Sequence, residues 1–236
     1  QRCLDIIIYY LLFNILYNIM NYLLIILLII IILFTIYNIY CNSFYISKTN
    51  FLDKDFIEKV NKIIHSNHEW FYTTNINNDK IKHNNDIKNR RNNSLKLLNS
   101  NKFSYSKYEY KNDAPILKEI KEYLNSPNVL KEVSSLTGNK IIKTTDIFIS
   151  KFSPGDFLSV HNDTNLGRYA FIIYLNEKWN SRCGGDLNII TKHGLHIPIY
   201  PEYNKLILMD IKTSEKPHYI NEVTCDNRYA ITGWFM

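Results

Sequence analysis

The chain has 236 residues, enough for one domain of ordinary size with additional segments. Its 28 basic side chains exceed its 22 acidic ones by six, and this modest, dispersed excess argues against a nucleic-acid-binding groove. The four cysteines are far apart and form no CxxC pair, so neither a disulfide framework nor a zinc site follows from their spacing. The sequence permits one Cys183–Cys225 bridge without specifying it.

An apolar segment dominates the amino-terminal region, which we assign to residues 1–41. Residues 22–37 read YLLIILLIIIILFTIY, without a charge or a glycine. Extended back to Ile15, the stretch has few polar residues, and about 20 apolar residues span a bilayer, so it predicts a transmembrane helix and a single-pass membrane anchor. A cleaved signal peptide and a buried core helix are the alternatives. Met20 is an attractive natural start.

The charges on the two sides of this segment are balanced, so they do not orient it in the membrane. The usual expectation for a signal anchor places the following domain in the endoplasmic reticulum or secretory pathway. Asn162 begins a formal glycosylation sequon beside a candidate metal ligand, which weakly disfavours a lumenal location. We therefore expect the secretory pathway but leave the orientation open.

Residues 42–139 are predicted to form a helical support region. A helix is expected over 53–65, where apolar side chains recur on one face, and a second is expected from Pro115. A third helix ends at Gly138. Residues 75–101 are rich in Asn and Lys/Arg and poor in large apolar side chains, which predicts a mobile loop or insertion.

Residues 140–236 contain short runs typical of strands, separated by turn residues such as Pro154-Gly155 and Gly184-Gly185. The eight predicted strands are 145–152, 157–163, 168–175, 186–190, 196–200, 205–210, 218–223 and 228–235. Eight short strands that follow helices predict an α+β fold, in which a double-sheet jelly roll carries supporting helices on one side. In this interpretation, residues 140–236 are the functional core.

The HxD pattern of His161 and Asp163 indicates a metal site. Alternate side chains of a strand share a face, so the two residues point the same way. His218 opens another predicted strand, which can lie beside the first in a closed jelly roll. Two histidines and one carboxylate form the facial triad of non-haem Fe(II) oxygenases. A chance match in an exposed loop is the alternative, and we assign the competing pair His193 and His196, across a hairpin turn, to the surface.

The last predicted strand places Arg228, Thr232 and Trp234 on one face. A buried arginine inside a small barrel is costly unless it is paired, so a bidentate carboxylate, that of 2-oxoglutarate, is the functional interpretation. An exposed residue at the strand end is the alternative. Thr232 would add a hydroxyl donor. Tyr174 could contribute a phenol, but without other support a core tyrosine with its hydroxyl at the rim is the favoured interpretation.

Four segments resemble, in order, the catalytic domain of 2-oxoglutarate/Fe(II)-dependent prolyl hydroxylases. They read FSPGDFLSVHNDTNLGRYAFIIYLNEKW, GGDL, PHYINEV and NRYAITGWF, and the resemblance covers about residues 145–235. It is strongest for the type that hydroxylates a ribosomal-protein proline, followed by the hypoxia-inducible-factor prolyl hydroxylases. The family fold is a double-stranded β-helix, which agrees with the predicted strand pattern.

The resemblance implies a specific set of roles. The iron ligands would be His161, Asp163 and His218; the 2-oxoglutarate carboxylate would bind Arg228, helped by Tyr174 and Thr232; and Trp234 would line the pocket. The implied cofactors are Fe(II), 2-oxoglutarate and O2, with ascorbate as reductant, and the implied partner is a protein or peptide with a target proline. Membrane-linked members of the wider superfamily typically use lysine, not arginine, for the distal carboxylate.

Two alternative functions stay open. A non-catalytic jelly-roll binding module is consistent with the fold, because fold does not dictate function. The complete set of ligands, cosubstrate arginine and flanking turns argues against it. The same chemistry on a non-prolyl substrate is the second alternative. Nucleic-acid demethylases resemble the triad but carry a second arginine soon after the first, whereas Arg228 is the last basic residue here.

Overall fold

A computed structural model of the chain describes residues 19–36, 44–66, 69–76, 79–163, 166–213 and 215–236. The chain divides into two units, Gln1–Ser43 and Phe44–Met236. The described part of the first unit is one helix, α1 (Ile19–Ile36), whose length and composition suffice to cross a membrane. Its side chains are exposed, and it carries no charged residue. The remaining parts of the predicted apolar stretch lie outside the described residues.

The second unit contains four further helices and twelve strands within its described residues. The helices are α2 (Lys54–Ser66), α3 (Ile87–Asn99), α4 (Pro115–Leu124) and α5 (Pro127–Thr137). The strands are β1 (Ile46–Lys48), β2 (Trp70–Ile76), β3 (Asp79–Lys82), β4 (Tyr105–Tyr110), β5 (Thr144–Phe152), β6 (Phe157–His161), β7 (Tyr169–Tyr174), β8 (Leu187–Ile190), β9 (His196–Ile199), β10 (Leu206–Asp210), β11 (His218–Ile220) and β12 (Arg228–Phe235). The eight predicted strands correspond to β5–β12, and the helices predicted over 53–65, from Pro115 and up to Gly138 are α2, α4 and α5.

Strands β5–β12 form a curled antiparallel sheet with two four-stranded halves. One half has the order β10-β7-β12-β5 and the other has the order β6-β11-β8-β9. Strand β4 pairs with both β5 and β6 and so joins the halves. Because successive strands mostly alternate between the halves, the chain winds as a double-stranded β-helix. The predicted jelly roll with supporting helices is confirmed.

The half that contains β12 separates two apolar cores. Ile231 and Phe235 belong to the outer core, together with the apolar faces of α2, α4 and α5. Ala230 and Trp234 belong to the inner core, between the two halves of the sheet. Alternation along β12 therefore sends one set of side chains to the helices and the other into the barrel. Each large apolar side chain buried in this way contributes roughly 1.5–3 kcal/mol.

The interpretation of residues 75–101 as a mobile loop is wrong. Strand β3 pairs with β2, which in turn pairs with β4, and helix α3 packs on this three-stranded sheet. Only residues 77–78 of the segment lie outside the description. The segment is therefore a regular extension of the main sheet, next to the point where its two halves meet.

Polar contacts, rather than apolar ones, hold helix α3 in place. Arg90 is only 6% exposed. Its guanidinium donates to the backbone carbonyls of Tyr72, Ile81 and His83. Arg91 forms a 2.9 Å ion pair with the buried carboxylate of Asp156. Composition concealed this helix because its packing depends on two arginines and backbone acceptors, which carry no hydrophobic period.

Candidate active site

Strands β6 and β11 bring two histidines together. His161 and His218 are directly opposed in the antiparallel register, and their ring centroids are 4.2 Å apart. Strand β6 ends at His161, two residues earlier than predicted, yet the Asp163 carboxylate lies 3.4 Å from His161 Nε2 and 3.7 Å from His218 Nε2. The three groups lie within 4.8 Å of one another. The structure thus brings the three predicted ligands into a 2-His-1-carboxylate cluster.

Backbone carbonyls orient both imidazoles. His161 Nδ1 lies 3.1 Å from the carbonyl oxygen of Ser159, and His218 Nδ1 lies 2.7 Å from that of Lys216. An Nδ1–H that donates to a carbonyl leaves the Nε2 lone pair free for a metal, so these hydrogen bonds select the ligating tautomer. The Asp163 carboxylate accepts a 3.3 Å hydrogen bond from the Trp234 indole, which holds the third group in position.

The electrostatic surroundings favour the protonation states that a metal requires. His218 is 4% exposed, and its burial, together with the neighbouring His161, lowers its pKa to about 4. Burial by itself raises the pKa of Asp163, but the hydrogen bond with His161 and the electrostatic influence of the two imidazoles outweigh it and lower the pKa overall. At neutral pH, His218 is a neutral imidazole and Asp163 an anion. This donor set fits a divalent cation such as Fe(II).

A cavity of about 300 Å³ opens beside the cluster, and we call it the triad cavity. Thr232 and Trp234 line it together with the three clustered residues. Its deeper wall is apolar and includes Phe152, Ile172, Leu187 and Met209. The structure therefore places two of the four predicted cosubstrate residues in the same cavity as the candidate metal ligands.

Arg228 and Tyr174 lie behind the triad cavity, inside the barrel. Arg228 is 1% exposed, and its guanidinium carbon lies 5.3 Å from the ring centroid of Phe152 and 5.1 Å from that of Tyr174. Burial lowers the pKa of Arg228, while the Tyr174 hydroxyl and the Asp186 carboxylate oppose this shift. The Tyr174 hydroxyl donates to the carbonyl oxygen of Ile199 over 3.4 Å. Arginine keeps its charge under these conditions, so the barrel contains a buried cation.

Two donors of this cation, Nε and Nη2 of Arg228, have no hydrogen-bond partner among the described residues. Leaving a buried charged donor unpaired costs several kcal/mol. A carboxylate from a ligand matches the planar, forked guanidinium in both charge and geometry. The charge and the donors of Arg228 therefore fit the distal carboxylate of 2-oxoglutarate, and Phe152, which the guanidinium contacts, also lines the triad cavity.

A disulfide and two glycines support the segment that precedes Arg228. The Cys183–Cys225 bridge, which the sequence permitted, joins the approach to β8 with the approach to β12 across a Cα–Cα distance of 5.0 Å. Gly184 and Gly185 both have a positive φ. A side chain at Gly184 would clash with the backbone of Glu222, and one at Gly185 would press on the Arg228 side chain at 3.2 Å. Only glycine allows this turn to pack so closely on the guanidinium stem.

The competing histidine pair is at the surface, as predicted: His193 and His196 are exposed, and His196 contacts the Tyr219 hydroxyl. The sequence prediction missed two charged residues of the site, Lys107 and Glu109 of β4, which line the triad cavity. Their alternation within YSKYEY was the available signal for a strand.

Comparisons with known proteins agree with this site. The model of the 2OG-Fe(II) oxygenase superfamily matches residues 147–236. Prolyl 3-hydroxylase OGFOD1 of Xenopus laevis is 31% identical over 112 residues, which cover 44% of this chain and 22% of that protein. Prolyl 3-hydroxylase OGFOD1 of Mus musculus is 30% identical over 112 residues, or 20% of its length. The similarity thus spans about a fifth of these relatives.

Solved structures share the fold. A 2OG-Fe(II) oxygenase family oxidoreductase from Burkholderia pseudomallei has a TM-score of 0.56 at 10% identity and covers 82% of this chain and 85% of its own. A Pseudomonas putida prolyl-4-hydroxylase has a TM-score of 0.51 at 14% identity and covers 81% and 91%. Identities this low speak for the fold alone. The family match, together with the ordered motifs, assigns residues 147–236 to the 2OG-Fe(II) oxygenase superfamily.

Proposed function

We propose that this chain is an Fe(II)- and 2-oxoglutarate-dependent dioxygenase that hydroxylates a prolyl residue of a protein or peptide. The observation that carries the proposal is the buried guanidinium of Arg228, in which Nε and Nη2 have no hydrogen-bond partner among the described residues, together with the 2-His-1-carboxylate cluster. A metal site alone does not need such a cation, and a binding module gains nothing from leaving its donors unpaired. A carboxylate cosubstrate accounts for both features.

The contacts support a specific role for each residue of the site, beginning with the candidate iron ligands. His161, Asp163 and His218 would hold Fe(II) on one face and leave the opposite face open. Fe(II) held there would supply the O2 chemistry that converts 2-oxoglutarate to succinate and CO2 with one oxygen atom and inserts the other into a substrate C–H bond; ascorbate would return the iron to Fe(II) after turnover without substrate. The Trp234 indole keeps the Asp163 carboxylate oriented toward both histidines.

The remaining cosubstrate residues would position 2-oxoglutarate. Arg228 would bind its distal carboxylate through Nε and Nη2, and Thr232 would add a hydroxyl donor from the cavity wall. Tyr174 packs its ring on the guanidinium, which limits the orientations available to Arg228. The apolar wall formed by Phe152, Leu187 and Met209 strengthens these polar interactions because it keeps water out.

Prolyl specificity is supported by the similarity to prolyl 3-hydroxylase OGFOD1 within the catalytic region. The same chemistry on another residue type remains a distinct outcome of the test. The two Arg228 donors without a partner among the described residues disfavour the non-catalytic module, since a barrel without a cosubstrate would be more stable with an apolar residue there.

Succinate formation by the purified full chain, held in detergent with Fe(II), 2-oxoglutarate, O2 and ascorbate, tests the proposal. His161→Ala should abolish turnover, and Arg228→Ala should raise the 2-oxoglutarate requirement roughly 100-fold or more, the scale of a lost buried charge pair. His193→Ala, the same substitution at an exposed histidine, is the matched control and should behave as wild type. Iron retention is measured in parallel.

Equal turnover in wild type and both site variants would overturn the site assignment. A wild-type chain that neither forms succinate nor retains iron would favour the binding module. Mass spectrometry of proline-containing peptides then separates prolyl hydroxylation, seen as the gain of one oxygen on proline, from oxidation at another residue.

We further propose that α1 anchors the protein in a membrane, with the β-helix in the lumen of the secretory pathway. Its 18 residues make a helix of about 27 Å, close to the thickness of a bilayer core. The Cys183–Cys225 disulfide supports an oxidising compartment. Resistance to carbonate extraction, together with protection of both cysteines from alkylation in native membranes, is the expected result. Extraction by carbonate, or free thiols at these positions, would contradict it.

A further inference from the structure

The three-stranded sheet β3-β2-β4 carries a cluster of charged side chains at the mouth of the triad cavity. Lys82 and Lys107 both lie opposite Thr73 of β2, so they project from the same face of the sheet. Lys80 and Glu109 lie two positions along their strands and share that face. We call Lys80, Lys82, Lys107 and Glu109 the lysine cluster.

One carboxylate serves three ammonium groups in this cluster. The Glu109 oxygens lie 3.0 Å from Lys80 Nζ, 3.4 Å from Lys82 Nζ and 3.2 Å from Lys107 Nζ. Burial alone raises the pKa of Glu109, but Lys107 and the other two lysines outweigh it and lower the pKa to about 2. Glu109 is therefore ionised at neutral pH. Three lysines that share one carboxylate leave an excess of two positive charges.

Lys107 directs this excess charge toward the reaction site. Its ammonium lies 4.2 Å from the ring centroid of Phe148, and both residues line the triad cavity. An ammonium has three N–H donors, and the ion pair with Glu109 accounts for one of them. Burial lowers the pKa of Lys107, and the charge of Glu109 opposes that shift. The Lys107 ammonium therefore lies among Glu109 and the rings of Phe148 and Tyr105, in the wall of the cavity that also contains the candidate iron ligands.

A second groove continues from the cluster across the surface. It has a volume of about 720 Å³ and shares Lys80, Glu109, Phe148 and Trp234 with the triad cavity. Its other charged side chains are Asp113, Lys118, Lys121 and Asp146, whose charges balance. The excess of the lysine cluster therefore lies beside the junction of groove and cavity, where Lys80 and Lys107 line the cavity and Asp163, a candidate metal ligand, is its other carboxylate besides Glu109.

We propose that the lysine cluster selects a peptide segment with a carboxylate side chain close to the residue that is oxidised. The inference rests on the proposed function, and it names the substrate class as an acidic peptide. A substrate Asp or Glu would accept hydrogen bonds from Lys107 at the cavity and from Lys80 at its half-exposed rim. Two excess charges at one point match one or two carboxylates rather than the continuous phosphates of a nucleic acid.

The test uses a pool of synthetic peptides, each with one central proline and with flanking positions varied among Glu, Gln and Lys. The full chain in detergent, with Fe(II) and 2-oxoglutarate but without O2, is mixed with the pool, and the retained peptides are identified by mass spectrometry. Glu peptides should be enriched about tenfold over their Gln isosteres, the scale of one charge-assisted hydrogen bond. The enrichment should decrease as salt screens the charges.

A second measurement follows when O2 is admitted, because the retained peptides can then be analysed for oxidation.

Three variants connect the enrichment to the cluster. Lys107→Met should remove most of it, because this change takes the ammonium from the cavity wall. Lys80→Glu, at a side chain that is 53% exposed and so tolerates substitution, should shift retention toward Lys peptides. Lys131→Met is the matched control, since Lys131 is exposed on α5 and lines neither the cavity nor the groove.

The outcomes separate the inference from the proposed function. Equal retention of Glu and Gln peptides, a preference for Lys peptides in wild type, or no retention of any peptide would overturn the inference, even if succinate forms. Enrichment of Glu peptides that depends on Lys107 supports it, even if no succinate forms; the proposed function would then fail while the acidic-peptide site stands.

Discussion

The β-helix strands β5–β12 and the segment 69–111, which contains β2, β3, α3 and β4, are stabilised by different forces. The β-helix buries alternating apolar side chains in two cores, one on each face of the half that contains β12. The segment instead uses charged side chains such as Arg90 and Arg91, which bind backbone carbonyls and a buried carboxylate. The comparison teaches that apolar periodicity in the sequence reveals the strands of the β-helix. Packing through polar side chains cannot be recognised in the sequence, because it depends on partners from other segments. The candidate site draws on both regions.

The largest expected effect belongs to the β-helix side. His218→Ala removes a buried residue of the cluster and should reduce iron retention and succinate formation at least about 100-fold. The loss should exceed that caused by removing a residue that only hydrogen-bonds to a ligand, which is typically about 10–100-fold. His65→Ala, on α2 and away from the cluster, is the control. Iron bound per chain and succinate are measured together. If His218→Ala retained as much iron as wild type, the assignment of His218 as an iron ligand would be wrong.

The disulfide should have the largest effect on stability. Cys183→Ser combined with Cys225→Ser opens a loop with a sequence separation of 42 residues, for which chain entropy predicts a loss of about 4 kcal/mol in unfolding free energy. Because the bridge supports the approach to Arg228, the apparent affinity for 2-oxoglutarate should also fall. Denaturant unfolding of the variant and of the reduced wild type checks the first effect, and the two should agree. Unchanged stability in both would contradict a structural role for the bridge.

The pH dependence of stability should reveal the lysine cluster. The Glu109 pKa falls to about 2 in the folded state from an ordinary value near 4.5, so its contribution is present above pH 4.5 and is lost as pH falls toward 2. The shift corresponds to about 3 kcal/mol. Glu109→Gln should lack this part of the acid dependence. If the variant and wild type lose stability in parallel between these pH values, the ion pairs do not stabilise the segment.

Asp156 links the two regions, and its substitution should have the smallest effect on the unfolding free energy. Asp156 accepts hydrogen bonds from Tyr72, Ser106 and Arg91. Asp156→Asn removes the charge that Arg91 needs and should cost about 2 kcal/mol. Hydrogen exchange should accelerate in residues 69–111 more than in β5–β12. Asp113→Asn, at a highly exposed carboxylate, is the control. Uniform acceleration across both regions would show that they unfold as one unit.

The sequence predicted the framework well and its amino-terminal extension poorly. All eight strands of the β-helix were predicted, with ends shifted by at most three residues, because turn residues and two-residue alternation mark each of them. Strand β4 and helix α3 were missed. In α3, the buried residues are Arg90 and Ser94, and no apolar face distinguishes it from a loop. The same omission concealed Lys107 and Glu109.

The sequence by itself determined the class of site. Strand alternation placed His161 and Asp163 on one face, and the ordered motifs supplied His218 and Arg228. Only the tertiary structure decided that Arg228 is buried with two donors that no described residue pairs. It also decided that Cys183 reaches Cys225 and that three lysines share one glutamate beside the cavity. The physical reason is the separation along the chain of the residues that interact. Alternation acts between neighbours along one strand, whereas an unpaired donor or a shared carboxylate depends on residues brought together from distant parts of the chain.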